Sequence, residues 1–214
     1  MYAIAPEHHL NALVLALTAG FKDPTPSVPD DDTTLMHRYR HGDVDAFREL
    51  YGRYHKRLHR YLLRLANRAA DAEEVFQDVW AAVIRGRSDF RAQTSFASWL
   101  FAIAHRRAAD RFRLLDRHAP EWRSDSEDEA GIDDLVATDA IAPERVAHSE
   151  ALGVALLEAI AALPPLQREA FLLKAEGELT LDQIASITGT SRETVKSRLR
   201  YAQVRLRKAL EAWQ

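Results

Sequence analysis

The chain has 214 residues, 47% of them hydrophobic and 29% charged, with eight Gly, eight Pro and no Cys. That balance suits one or two folded domains and excludes a wholly disordered, collagen-like or disulfide-stapled chain; without cysteine there is no thiolate zinc site, iron–sulfur cluster, redox pair or cysteine nucleophile. The net charge of −3 conceals an uneven distribution: residues 1–32 carry −4, 33–113 carry +7, 114–150 carry −8, 151–163 carry −1 and 164–214 carry +3, so two basic blocks flank an acidic one.

Residues 1–32 read as an N-terminal extension in which His9 to Phe21 can form an apolar helix ended by Pro24, Pro26 and Pro29. Its apolar stretch, Leu13 to Phe21, is about half of what a bilayer crossing needs and lacks the basic leader and small-residue cleavage pattern of an export signal, so the expected location is the cytoplasm. Packing on a domain, covering a binding face and contacting a regulator are all open to this extension. From residue 33 onward apolar residues recur at helical spacing and never in strict alternation between hairpin turns, which predicts an all-α fold.

Phe47, Leu50, Tyr51, Tyr54, Leu58, Tyr61, Leu62 and Leu65 make one stripe, starting after Asp43 as N-cap. Val75, Phe76, Val79, Trp80, Val83 and Ile84 make a second. Phe96, Trp99, Leu100, Ile103 and Phe112 make a third, entered through Thr94 or Ser95, and three such helices close one core over 33–115. The pairs His37/His41 and His55/His59 have the i, i+4 spacing that shares a metal, yet neither has a third ligand, so no metal and no cofactor is expected.

Between Asp116 and Ala142 the periodicity fails and charge is dense, which reads as an acidic linker. Pro143 is suited to open the next helix, running through Val146, Leu152, Val154, Leu156, Leu157 and Ile160, and Pro164 and Pro165 break it. Gly177 ends the following helix. Thr180 to Gln183 reads as a capping box, Gly189 as a tight turn and Thr190 or Ser191 as the next cap, with Glu193 near the positive helix end. Ala185, Gly189 and Val195 have helix-turn-helix spacing: a small residue where two helices touch, a glycine for the turn, a branched residue locking the second helix.

In that second helix Val195, Leu199, Ala202 and Leu206 face inward, while Arg192, Lys196, Ser197, Arg198, Arg200 and Tyr201 stay outside. Residues 192–208 carry seven Lys and Arg against one Glu. Such a helix suits the DNA major groove, where Arg and Lys reach phosphates and guanine edges; the alternative is a solvated basic face. The predicted architecture is therefore two helical domains, 33–115 and 143–214, joined by the linker 116–142, the second a helix-turn-helix.

Three stretches narrow the function. Asp71-Ala-Glu-Glu-Val-Phe-Gln-Asp78 with Trp80, Phe90 through Ala104, and Leu163-Pro-Pro-Leu-Gln-Arg-Glu-Ala-Phe171 leading through the helix-turn-helix to Lys196-Ser-Arg-Leu199 resemble the extracytoplasmic-function sigma factors, the compact two-domain specificity subunits of bacterial RNA polymerase. The resemblance implies that Asp71, Glu74, Gln77 and Asp78 dock on core polymerase, the last three on one helix face. It implies that the Phe90 to Ala97 loop captures a flipped base of the melted downstream promoter element. Phe90, Arg91, Gln93, Thr94, Ser95 and Phe96 are its candidate contacts, and Arg106, Arg107, Arg111 and Arg113 form a basic track for the displaced strand. Trp99 is assigned to the core. Arg106 stands where many members have Asn.

By the same resemblance Arg192, Glu193, Thr194, Lys196, Ser197, Arg198, Arg200 and Tyr201 read the upstream element in duplex DNA, although Tyr201 and Gln203 interrupt the denser arginine run of many members. The acidic linker either threads the polymerase's RNA-holding cleft or is a solubilising spacer. Core polymerase, duplex and melted promoter DNA and an anti-sigma factor are the implied partners, with no membrane insertion. A stand-alone helix-turn-helix regulator is the alternative. No phosphate loop, nucleophile elbow or isolated catalytic dyad occurs, so no enzymatic activity is expected.

Overall fold

Leu35, Met36 and Tyr39 bury the inner face of a first helix, α1 (Asp31–Arg40), that the apolar stripes above do not include. The computed structural model describes residues 31–91, 94–115 and 145–211, with side chains over 32–91, 94–112 and 151–211. Gly42, at φ +98°, turns the chain out of α1, and Asp43 then caps α2 (Val44–Leu65), accepting from the Asp45 and Ala46 amides at 3.0 and 3.2 Å. Arg38 donates to the same carboxylate at 2.7 Å, and this bond, followed by that from the Ala46 amide, holds Asp43 below the usual carboxylate range. Asp43 therefore ties the end of α1 to the start of α2.

Helix α3 (Ala69–Arg85) starts without a side-chain cap, and α4 (Phe96–Leu115) starts at Ser95, whose hydroxyl accepts from the Ser98 amide at 3.2 Å. Helices α1 to α4 pack around Leu50, Leu58, Tyr61, Leu62, Val79, Phe96, Leu100 and Phe101, all buried. Tyr61 sits edge-on to Phe101 with ring centroids 5.2 Å apart. Tyr51 and Ile84, at the margins of the predicted stripes, are instead exposed, because each stripe is wider than the face its neighbours cover.

The second group begins with α5 (Arg145–Ala161); Pro143 lies outside the described residues. Leu156 and Ile160 are buried, but Val154 and Leu157 are 57% and 45% exposed. Helix α5 is apolar on more faces than it has neighbours. Pro164 is the cap and Pro165 the first residue of α6 (Pro165–Ala175), so the pair that ends one helix opens the next, where a missing amide costs nothing. The predicted capping box is present: Thr180 accepts from the Gln183 amide at 3.2 Å and donates its own amide to Gln183 Oε1 at 2.8 Å, starting α7 (Leu181–Thr188). Gly189 takes φ +67°, and Ser191, not Thr190, caps α8 (Arg192–Ala209). Val195, Leu199, Ala202 and Leu206 bury the inner face of α8 as expected.

The two groups touch. Helix α2 meets α5 and α6, and α4 meets α7. Glu176, just after α6 and 4% exposed, accepts from Arg60 at 2.8 Å and from Arg64, while Arg57 Nε donates to its carbonyl at 2.7 Å. Burial pulls the Arg64 guanidinium below its ordinary pKa, against the opposing pull of Glu176. Nearby, buried Glu169 on α6 lies 2.6 Å from His105 Nδ1 on α4, and Gln183 Nε2 donates to Ser95 Oγ at 3.1 Å. Eight helices and no strand occur among the described residues, and none of these helices is long and apolar enough to cross a membrane.

Candidate nucleic-acid interface

Helix α8 presents its cations in one strip because its apolar residues occupy the other. Arg192, Glu193, Lys196, Ser197 and Arg200 are exposed, and Thr194, Arg198 and Tyr201 half-buried. Arg192 is paired with Asp182 at 3.0 Å, and Lys196 lies 3.7 Å from Glu193. The Arg200 guanidinium lies 5.1 Å from the Tyr201 ring centroid, a cation–π contact that steadies it without neutralising it. The Thr194 side chain is drawn toward the cap, its hydroxyl 2.9 Å from that of Ser191. The strip can thus offer a phosphate or a purine edge several donors from a rigid element.

The segment expected to capture a base divides into wall and rim. Phe90 and Phe96 are buried, their rings 6.4 Å apart; Phe96 also stacks edge-on to Tyr54, and both reach Trp99. They support the segment from below rather than face solvent. Arg91 and Thr94 are exposed and Ser95 is half-buried beneath Gln183. Gln93 and the Arg113 side chain lie outside the described residues.

Beside this segment opens a concavity of about 440 Å³ lined by Gly86, Asp89, Trp99, Ile103, Arg106 and Arg107 among others. Trp99, assigned to the core by its spacing, is half-buried: its inner edge packs on Phe90 and Phe96 while the ring also lines the concavity. Gly86 lies against the ring, and a Cβ there would meet Trp99 Cζ2 at an ordinary 3.8 Å but crowd the Ala82 carbonyl oxygen at 3.1 Å. An apolar wall bearing an aromatic ring, with Arg106, Arg107, Asp89 and Asp110 at the edge, has the composition that holds an unstacked base. Trp99 and Arg106 are seven residues apart on α4, two helical turns, and that spacing was the available signal.

Arg111, expected in a basic track, is engaged within the domain. It bridges Asp71 at 3.2 Å and Glu74 at 2.6 Å, linking α4 to α3. Asp71 is accordingly buried at the helix start, a support for Arg111 rather than an exposed contact. Gln77 and Asp78 are exposed with no partner among the described residues, and Glu74 borders them one turn back. The histidines of the i, i+4 pairs are engaged locally: His41 Nδ1 lies 2.8 Å from the His37 carbonyl, His55 Nδ1 2.9 Å from that of Tyr51, and His59 Nε2 3.1 Å from Glu73.

Two family models match the chain, Sigma-70 region 2 over residues 50–118 and Sigma-70, region 4 over residues 153–210. The ECF RNA polymerase sigma factor SigK of Mycobacterium ulcerans is 32% identical over 188 residues, covering 87% of this chain and 97% of its own length. The RNA polymerase sigma factor CarQ of Myxococcus xanthus is 30% identical over 175 residues, 82% of this chain and 95% of its own. Among solved structures, CnrH in complex with the cytosolic domain of CnrY aligns over 86% of this chain and 99% of that one at TM-score 0.60 and 22% identity. The sigma factor RpoE of Bartonella quintana, in complex with the anti-sigma factor NepR, aligns over 77% and 96% at TM-score 0.57 and 21% identity.

Proposed function

This chain belongs to the extracytoplasmic-function sigma factors, the RNA polymerase subunits that direct transcription initiation at chosen promoters, and on that premise we propose how its exposed faces divide the work. The chain acts as two domains, 33–115 and 143–214, joined by the acidic tether 116–142, in the cytoplasm and with no reaction of its own. Glu74, Gln77 and Asp78 dock on core polymerase, offering carboxylates and an amide to basic partner groups. The segment from Phe90 to Ala97 captures a base of the melted downstream element. Arg91, Gln93, Thr94 and Ser95 supply its polar contacts, and Arg106, Arg107 and Arg113 follow the displaced strand. Helix α8 reads the upstream element in the duplex, chiefly through Lys196, Ser197, Arg198 and Arg200. An anti-sigma factor holds the protein inactive by covering these faces.

One observation favours this reading over a self-sufficient helix-turn-helix regulator: Gln77 and Asp78 stand exposed and unpartnered among the described residues, on a helix remote in sequence from the DNA-reading α8. The face lies within the stretch matched by Sigma-70 region 2, residues 50–118, a domain that a stand-alone helix-turn-helix does not require. The test is binding of labelled promoter fragments by the purified chain with and without core polymerase. Specific binding is expected only in the presence of core; tight dimeric binding to duplex DNA without it would favour the stand-alone regulator.

A further inference from the structure

A second and larger concavity, about 580 Å³, opens where α1 and α3 end, lined by Arg40, His41, Ile84, Arg85, Arg87 and Ser88. Nothing in the family motifs read above falls on these residues. Some arginines of this domain pair with carboxylates, whereas those of the hollow, like Arg91, Arg106 and Arg107, do not among the described residues. Arg38, Arg48, Arg53, Arg60, Arg64, Arg68 and Arg111 each lie within ion-pair distance of an Asp or Glu. Arg40, Arg85 and Arg87 have no carboxylate partner among the described residues. Arg40 donates to the Phe90 carbonyl at 3.4 Å, and the Arg87 guanidinium lies 5.7 Å from the Tyr39 ring centroid, contacts that orient both side chains and leave their charge intact.

Three uncompensated guanidiniums around one hollow, with low-dielectric walls beneath, focus positive potential into it. The guanidinium fork matches phosphate oxygens in pairs, while the Ser88 hydroxyl at the rim donates to Asp89 Oδ1 at 3.3 Å. Exposed Ile84 gives the rim an apolar surface suited to a sugar face. The Arg40–Phe90 hydrogen bond joins this hollow directly to the segment assigned to base capture. We propose that the hollow binds the phosphodiester backbone of the melted promoter strand, in nucleotides adjoining the captured base. The inference rests on the strand-capture reading of Phe90 to Ala97, and it assigns Arg40, Arg85 and Arg87 as sequence-independent phosphate contacts that hold the strand in register.

The experiment uses holoenzyme assembled from the full chain and core polymerase, with a fork-junction promoter whose downstream element is already single-stranded. Affinity is measured over a salt series for the native chain, for Arg85→Ala/Arg87→Ala, for Arg85→Lys/Arg87→Lys, and for Arg48→Ala as a control at an exposed, carboxylate-paired arginine. Each phosphate contact on a single strand contributes about 0.7 to the slope of log affinity against log salt, so the double alanine should lower the slope by about 1.4 and the double lysine should recover most of it. Arg48→Ala should change nothing. Neutral methylphosphonate linkages next to the captured base should weaken the native holoenzyme and no longer weaken the double alanine. An unchanged slope, or undiminished sensitivity to every neutral linkage, overturns the proposal. Weakened association with core at an unchanged slope overturns it too, assigning the arginines to an acidic surface of the polymerase. If instead the native holoenzyme does not distinguish the premelted element from a scrambled one, the strand-capture reading itself fails, a result separable from the other two.

Discussion

A Cβ added at Gly177 would sit 2.5 Å from the Leu173 carbonyl oxygen and 2.9 Å from Leu179 Cγ, distances that force the backbone to move. Gly177→Ala is therefore expected to destabilise the α6–α7 region by about 1–3 kcal/mol, read as a lower urea midpoint at constant m-value. The left-handed residue of this turn is Glu178, at φ 53°, so the glycine serves close approach and its neighbour takes the unusual torsion. Sequence marks Gly177 as a stop but not this sharing of roles, because close approach depends on Leu179 folding back onto the helix end. At Gly189, by contrast, the turn glycine read from spacing does take positive φ, with open space around it. Tyr61 gives a pH prediction. Burial, and then the charge of Glu169, push its phenol well above the ordinary value. A raised folded pKa means that the neutral ring's contribution is complete below the unfolded phenol pKa and is lost as pH climbs toward the folded one. Stability should thus decline above about pH 10, and Tyr61→Phe should flatten that decline in urea titrations at pH 8 and 11.

The proposed functions fall on different helices, so variants on one should spare the other. Arg200→Ala removes an exposed α8 cation steadied by Tyr201 and should lower use of the upstream element several-fold while leaving core association unchanged; paired promoter-binding and core-binding titrations check both halves. The triple change Glu74→Ala, Gln77→Ala and Asp78→Ala should abolish core association with helicity retained, and unchanged core affinity would reject the docking face. The caps and inner faces of α2, α7 and α8 were legible because each combines a hydrogen-bonding cap residue with a stripe of matching period. Helix α1 was not, since only Leu35, Met36 and Tyr39 mark ten polar-rich residues and Asp32 is drawn inward by Arg53 and Tyr54. Of the candidate site residues, Arg91, Thr94, Arg106 and Lys196 are exposed, as a polar residue off the apolar stripe is expected to be. The pairing of Arg111 with Asp71 was not legible, since it joins residues 40 apart and leaves no periodic trace.

Across the whole molecule, two blocks that are each net basic meet through a buried carboxylate. Residues 112 to 116 apart meet where Arg60 and Arg64 enclose Glu176, and segment sums cannot reveal such a pairing. Glu176→Ala leaves two partly buried guanidiniums facing each other, at a cost of about 2–4 kcal/mol. If that cost falls on the contact, fluorophores on α2 and α8 should report a longer and broader distance distribution while each half keeps its helicity. The Ser95–Gln183 bond lies at the same boundary, so the segment assigned to base capture is partly covered by α7 in this arrangement. The central claim is that the chain redirects RNA polymerase, and its most direct test is run-off transcription with core polymerase on genomic fragments. Adding the chain is expected to produce transcripts starting at new, discrete sites that disappear with the Glu74/Gln77/Asp78 triple alanine. Start sites identical with and without the chain would contradict the account.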